Sequence, residues 1–304
     1  MWILFSLFAA ANFFYVVIAK VNSNGFVNNS RSRYALYLTT TAIIGCAFLF
    51  VLGGFRISLN LQTLVYALFN TAITISFLIG NALIYRYAKI STVNILTSSA
   101  GMISAALVGR IVFNEPVTPK TLIKIAVMLV AVAFVYVNAR RTSDEETLDI
   151  DRTARNKGRI VAFIISLTLV VAANQGSATL IKFFGMSKSV TDETSMFFIS
   201  NVIMMLVGLS MLTYELLKKN EKPRELVKML NLRNLVCWVG ATVCTNTISV
   251  VGVGILAEIE IGIYTIITSA FGVIISVIAS IIFREKLGIF AYLAAILACA
   301  AVII

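Results

Sequence analysis

One stretch of this chain occurs twice. Ser98 to Glu115 reads Ser-Ser-Ala-Gly-Met-Ile-Ser-Ala-Ala-Leu-Val-Gly-Arg-Ile-Val-Phe-Asn-Glu. At a spacing of 170 residues, Thr268 to Glu285 reads Thr-Ser-Ala-Phe-Gly-Val-Ile-Ile-Ser-Val-Ile-Ala-Ser-Ile-Ile-Phe-Arg-Glu. Both copies open on small hydroxyl residues, stay apolar for about four helical turns, and stop at a Phe-x-Glu corner, Phe113 to Glu115 and Phe283 to Glu285. One further apolar segment follows each. A second echo lies upstream, where Ala10-Ala11-Asn12 with Lys20 matches Ala172-Ala173-Asn174 with Lys182. The chain is therefore expected to be two copies of one helical unit.

Composition decides where that unit lives. The chain is 59% hydrophobic and only 13% charged, whereas soluble domains carry about a quarter charged residues. Apolar runs of about twenty residues recur along it, long enough for a hydrocarbon core of about 30 Å. The spacing predicts ten spanning helices, at about 2–19, 34–53, 62–84, 92–112, 121–138, 159–180, 194–216, 235–255, 261–283 and 287–304. Inside a bilayer a backbone must satisfy its own hydrogen bonds, so an open-ended span is a helix. The first run lacks a basic leader and a small-residue cleavage site, and is expected to be retained. All three prolines, Pro116, Pro119 and Pro223, fall in predicted connections, so no proline kink is expected.

Five helices per copy is an odd number, which turns the second copy upside down relative to the first. The expected fold class is thus an all-α integral membrane protein of ten transmembrane helices in two inverted five-helix repeats, residues 1–140 and 159–304, joined by a charged linker at 141–158. Inverted repeats commonly hold a solute near the midplane and expose it alternately to either side. Of the Lys and Arg residues, 19 lie in connections after odd-numbered spans and 6 after even-numbered ones. By the positive-inside bias this puts both termini outside the cytoplasm.

Several function classes lose their support. The chain has no histidine, which removes histidine proton relays and most zinc or haem sites. Cys46, Cys237, Cys244 and Cys299 sit within apolar segments without metal-ligand spacing and are expected as small packed residues. No cofactor is expected. A Gly-rich phosphate loop followed by Lys and Ser or Thr is missing, which argues against a built-in ATPase, and without clustered nucleophiles or acids an enzyme is not expected. The net charge of +11 is spread between apolar runs, a pattern that anionic lipid and insertion explain better than nucleic acid. The partners expected are the lipid bilayer and a small-molecule substrate.

Polar side chains within a span are unfavourable unless paired or facing a wet cavity. Tyr66, Asn70, Thr74, Phe77 and Asn81 recur on one helical face. Asn94, Ser98 and Gly101 follow the same spacing, and the repeat lays Tyr264 on Asn94 and Thr268 on Ser98. Thr242, Asn246 and Ser249 form a third group; Asn12 with Tyr15 and Asn174 with Ser177 form two more. Candidate substrate-binding residues are therefore Asn12, Tyr15, Tyr66, Asn70, Thr74, Asn81, Asn94, Ser98, Asn174, Ser177, Asn246, Tyr264 and Thr268. Amides, hydroxyls and rings together suit a small polar or zwitterionic solute with an apolar part. The bland alternative is that such groups only hold helices together. Glu258 and Glu260 lie in a very short link between two spans, and Glu258 is the candidate for ion coupling. Glu115 and Glu285 are expected at water-exposed corners, and Lys20 and Lys182 are expected to snorkel to the interface. Gly101, Ala105 and Gly109, like Ala291, Ala295 and Cys299, make small-residue stripes that let helices approach; a monomer is expected, a dimer being the alternative.

Two five-helix copies, each closing on small residues, an apolar helix, Phe-x-Glu and a final helix, resemble the drug/metabolite transporter superfamily, in particular its EamA-like branch. The points that carry the resemblance are Glu115 and Glu285, Lys20 and Lys182, and Gly-Val-Ile-Ile-Ser-Val-Ile-Ala-Ser-Ile-Ile-Phe-Arg-Glu-Lys-Leu near the C-terminus. Where such proteins often have Trp-Gly in the first helix and proline early in the fourth and ninth, this chain has Asn12-Phe13 and Ser98 or Thr268. The resemblance implies a central cavity lined by the first, third, fourth, sixth, eighth and ninth spans, both termini cytoplasmic, and a secondary transporter in the cell membrane. The resemblance does not extend to the substrate; the candidate amides, hydroxyls and rings suggest a small organic metabolite, an amino acid or related amphiphile. A multidrug or quaternary-cation exporter is the first rival, requiring an acidic or aromatic midplane. A scaffold or sensor without transport is the second.

Overall fold

The computed structural model describes residues 2–21, 31–84, 90–142, 157–187, 192–218, 223–282 and 288–303, some helical side chains excepted. Among the described residues there are helices and no strands. In chain order they are α1 (Trp2–Val21), α2 (Arg31–Leu52), α3 (Leu61–Ile84), α4 (Ile90–Val112), α5 (Pro119–Thr142), α6 (Lys157–Met186), α7 (Glu193–Leu217), α8 (Pro223–Met229), α9 (Leu232–Glu258), α10 (Ile261–Ile282) and α11 (Ile289–Ile303). Every predicted span falls on a helix. The addition is α8, short and placed in an expected connection. Pro223 opens it and Pro119 opens α5, the first helical position, where a missing N–H costs nothing and the fixed φ is already helical.

Among the described residues, four helices are long and apolar enough to cross a membrane: Ser32–Leu52, Val161–Met186, Glu193–Leu217 and Leu232–Glu258. Ile3–Ile18, Leu61–Phe77, Ala100–Val112, Ile261–Ile275 and Ile289–Ile303 are shorter apolar stretches. Bulky side chains such as Ile43, Ile164, Ile165, Leu206 and Val236 stand exposed along the four long helices. In water such a surface would drive aggregation; lipid solvates it. The described residues form an all-α fold with helices fit to cross a membrane.

Four helix starts are capped by residues that precede them. Asn60 Oδ1 accepts from Thr63 N at 2.7 Å at the start of α3, Asp192 Oδ1 from Thr194 N at 3.2 Å at α7, and Asn231 Oδ1 from Asn234 N at 2.8 Å at α9. Thr118 Oγ1 accepts from Thr121 N at 3.2 Å at α5. Each supplies an acceptor to an otherwise orphaned amide of the first turn.

The chain divides into two compact units that do not follow the halves of the sequence. The first comprises Met1–Thr71 with Phe184–Ile255, the second Ala72–Phe183 with Leu256–Ile304. Helices α3, α6 and α9 each pass from one unit to the other. Of the expected linker at 141–158, residues 141–142 and 157–158 belong to α5 and α6, and 143–156 lie outside the described residues.

In the first unit α2 and α7 pack along their length. Proceeding along α2 from Gly53 through Phe50 and Gly45 to Thr39, the partners on α7 are Thr194, Phe198, Asn201 and Gly208. The numbers fall on one helix as they rise on the other, so the pair is antiparallel. Glycine makes the approach possible. A Cβ at Gly45 would lie 2.6 Å from Asn201 Oδ1, and one at Gly208 would lie 2.5 Å from Thr39 Oγ1 and 3.0 Å from Thr39 N. Each helix thus offers a glycine notch to a polar side chain of the other. Trp238 of α9 is buried and meets the ring of Tyr37 edge-on, at 5.5 Å between centroids.

In the second unit α4, α5, α10 and α11 share one core of Met102, Ile125, Met128, Val132, Ile266, Ala270, Ala298 and Ala301. The C-terminal end of α4 meets the start of α10, where a Cβ on Gly262 would come 3.7 Å from Ala106 Cα. Likewise Phe290, at the start of α11, packs on Phe134, late in α5, with 5.6 Å between ring centroids. Along α4 and α10 the order reverses, Ala106 meeting Gly262 and Gly109 meeting Ile261, so that pair is antiparallel.

Candidate functional site

The polar residues singled out from the sequence divide between the two units. In the first, Asn70 and Asn246 are buried and bonded between helices. Asn70 Nδ2 donates to Ser200 Oγ at 3.2 Å, and Thr71 Oγ1 donates to Ser200 O at 3.2 Å. Asn246 Oδ1 accepts from Asn201 Nδ2 at 3.1 Å, while Asn246 Nδ2 donates to Thr242 O at 2.9 Å. Asn12 bonds within its own helix, Nδ2 to Phe8 O at 2.9 Å. Tyr15 is half-buried, and the ring of Tyr66 meets Phe184 edge-on at 5.2 Å. Ser200 and Asn201 of α7 were not among the residues expected to matter. Two adjacent polar residues within an apolar run are the signal that would have found them.

In the second unit the expected face of α6 is turned. Asn174 is exposed and Ser177 half-buried, whereas the neighbouring Gln175 is buried. Gln175 Nε2 donates to Gly101 O of α4 at 3.1 Å, which fixes the orientation of the amide, because a flip would set oxygen against oxygen. Thr74 and Tyr264 are half-buried, and Thr268 Oγ1 donates within its own helix to Thr265 O at 3.1 Å. Glu258 is exposed at the end of α9. The side chains of Asn81, Asn94 and Ser98 lie outside the described residues, as do those of Lys20 and Glu285.

One polar cluster in the second unit is one the sequence pointed to but assigned differently. Lys182 was expected at the interface and Glu115 at a wet corner. Instead Lys182 is buried and Glu115 largely so, with 8% and 12% of their side chains exposed, and they form an ion pair, Lys182 Nζ donating to Glu115 Oε1. The reason is local. Asn114 takes a left-handed φ of 57°, a conformation Asn tolerates better than most residues, and Glu115 N bonds back to Gly109 O at 3.0 Å. That turn folds the Glu115 side chain over Gly109, where any Cβ would collide with the carboxylate.

Both members of the pair also grip the two-residue link between α9 and α10. Lys182 Nζ donates to Ile259 O at 2.8 Å. Ile261 N donates to Glu115, 3.2 Å from Oε1 and 3.1 Å from Oε2. Glu115 thereby caps α10 from a position 146 residues away in sequence, with the carboxylate at the helix end where the macrodipole favours negative charge. Phe113 and Phe183 flank the cluster, their rings 4.8 Å apart, with Lys182 Nζ 5.1 Å from the centre of Phe113.

The fold has a solved counterpart. One crystal structure superposes on 98% of this chain and 96% of its own length, with a TM-score of 0.64 at 11% sequence identity. No protein-family model matches the chain, and no curated protein sequence matches it. A likeness at that level of identity speaks for the fold alone.

Proposed function

We propose that this chain is a secondary transporter, carrying a small organic metabolite across the membrane by alternating access, with ten spans arranged as two inverted five-helix repeats of the EamA-like kind. The carrying observation is the direction of helix pairing. If the first five spans are repeated in the second five, then α2 corresponds to α7, α4 to α10 and α5 to α11. A two-fold axis in the plane of a membrane reverses every helix it relates. Two of these pairs, α2 with α7 and α4 with α10, pack antiparallel within their units, and in α2 and α7 the glycine notches at Gly45 and Gly208 are reciprocal. The recurrence of Ser98 to Glu115 at Thr268 to Glu285 supports the same axis from the sequence.

The candidate side chains favour a solute that both gives and accepts hydrogen bonds. The buried Asn70, Gln175 and Asn246 are costly in an apolar setting and are tolerated there when paired or useful. An amino acid or a related amphiphile is the class we expect. For a cation exporter an acid must be free to face the cargo, and Glu115 is already engaged by Lys182 while Glu258 is exposed.

The test is exchange in proteoliposomes holding the full chain, with labelled amino acids, amines, nucleobases and sugar derivatives offered in turn. Saturable exchange of at least one class above empty vesicles is the expected outcome. A chain that behaves like empty vesicles with all four is not a carrier of this kind.

A further inference from the structure

An ordinary ion pair is indifferent to which side carries which sign. The cluster around Glu115 and Lys182 is not. Its third and fourth members are backbone groups of opposite polarity: the carbonyl of Ile259, which takes a hydrogen bond from Lys182, and the amide of Ile261, which gives one to Glu115. Exchange of the two side chains would keep the charge pair and set an ammonium near the Ile261 N–H and a carboxylate near the Ile259 oxygen. Donor would face donor and acceptor would face acceptor, each a buried group without its partner.

The cluster also has a definite mechanical consequence. The link it grips is only Ile259 and Glu260, between the last residue of α9 and the first of α10. Holding the carbonyl of the link's first residue and the amide just after the link fixes both where α10 starts and its rotation about its axis. Tyr264 and Thr268 follow at one and two helical turns, near the steps of 3.6 residues that keep side chains on one face. Gly109 is the enabling position on α4, since its missing side chain leaves room for the carboxylate.

We propose that Glu115 and Lys182 form a polarity-specific clasp on the α9–α10 junction and act as positioning residues for α10, setting Tyr264 and Thr268 for the transported solute. The solute half of this statement rests on the transporter reading given above; the clasp itself does not. The two halves have separate readouts, hydrogen exchange of the 259–264 backbone and solute uptake.

The experiment uses the full chain in lipid nanodiscs for deuterium exchange followed by mass spectrometry, and in proteoliposomes for uptake of whichever labelled amino acid, amine, nucleobase or sugar derivative the wild type carries. The variants are Lys182→Arg, which keeps a donor, Glu115→Gln, which keeps one acceptor and loses the charge, and the reversed double Glu115→Lys with Lys182→Glu. A clasp predicts wild-type protection in Lys182→Arg and exchange of the 259–264 segment faster by roughly fivefold to tenfold in the reversed double. Glu115→Gln should fall between. Positioning predicts that KM rises in the same order as exchange, with a smaller change in maximal rate. A reversed double with wild-type exchange and KM would show a plain charge pair and overturn the proposal. If that double does not fold, Glu115→Gln decides, since unchanged exchange there overturns the clasp equally. Wild-type vesicles that carry none of the probes remove the solute half, and exchange still judges the clasp.

Discussion

The two compact units solve the same problem by different means. Each must bury polar groups among apolar helices. In the first, the means are neutral: Asn70, Ser200, Asn201 and Asn246 bond one another and nearby carbonyls, and glycine notches at Gly45 and Gly208 bring α2 and α7 close enough to share them. In the second, one cluster is charged, with Lys182 and Glu115 buried together on a helix junction. The difference teaches where breakage should hurt. A neutral network loses one bond at a time. A buried charge pair leaves a bare ion when either partner goes.

The sharpest way to break that contrast is Lys182→Met. It strands the Glu115 carboxylate, and a loss of about 3–5 kcal/mol is expected, read as a large fall in the thermal midpoint in detergent. Adding Glu115→Leu should recover much of the loss. No recovery in the double variant would mean that the backbone contacts, and not the bare charge, carry the cost.

Next in size is Gly208→Ala in the first unit. Its Cβ would stand 3.0 Å from the backbone nitrogen of Thr39, a group that cannot swing aside, so the helices must part at a cost of about 1–3 kcal/mol. Gly45→Ala should be milder, because the atom it meets is the movable amide of Asn201. Equal midpoints for the two would refute the difference between backbone and side-chain crowding.

Asn114 offers a finer test on the side of the charge pair. Its φ of 57° makes Asn114→Val unfavourable by about 1–2 kcal/mol, whereas Asn114→Gly should be neutral or better. A valine variant as stable as the glycine one would mean that this turn does not determine where Glu115 sits.

The smallest effect belongs to the neutral network. Asn246→Ala removes one interhelical bond to Asn201, and about 0.6–2 kcal/mol is expected. A loss as large as that of Lys182→Met would erase the distinction between the units.

How far these features were legible in the sequence depends on how local their causes are. Helix positions were legible because apolar runs of span length leave the backbone few other choices. The caps at Asn60, Thr118, Asp192 and Asn231, each lying beside the helix it serves, went unread. The short helix α8 was not legible, since seven polar-flanked residues give no period to detect. Among the candidate site residues, Asn70 and Asn246 are in place as buried polar groups, while Asn174 is exposed and Gln175 is the buried neighbour. Spacing alone marks a face of a helix and leaves undetermined which direction that face points.

The sequence by itself determined that this is a helical chain fit for a membrane, with an internally repeated stretch, because hydropathy and residue identity are written position by position. Only the tertiary structure decided that Glu115 caps a helix 146 residues away and that Lys182 is turned inward to meet it. A lysine at a helix end can reach water or a partner with equal ease along its own chain. Which it reaches depends on whether a folded turn such as that at Asn114 presents a carboxylate within the length of its stem.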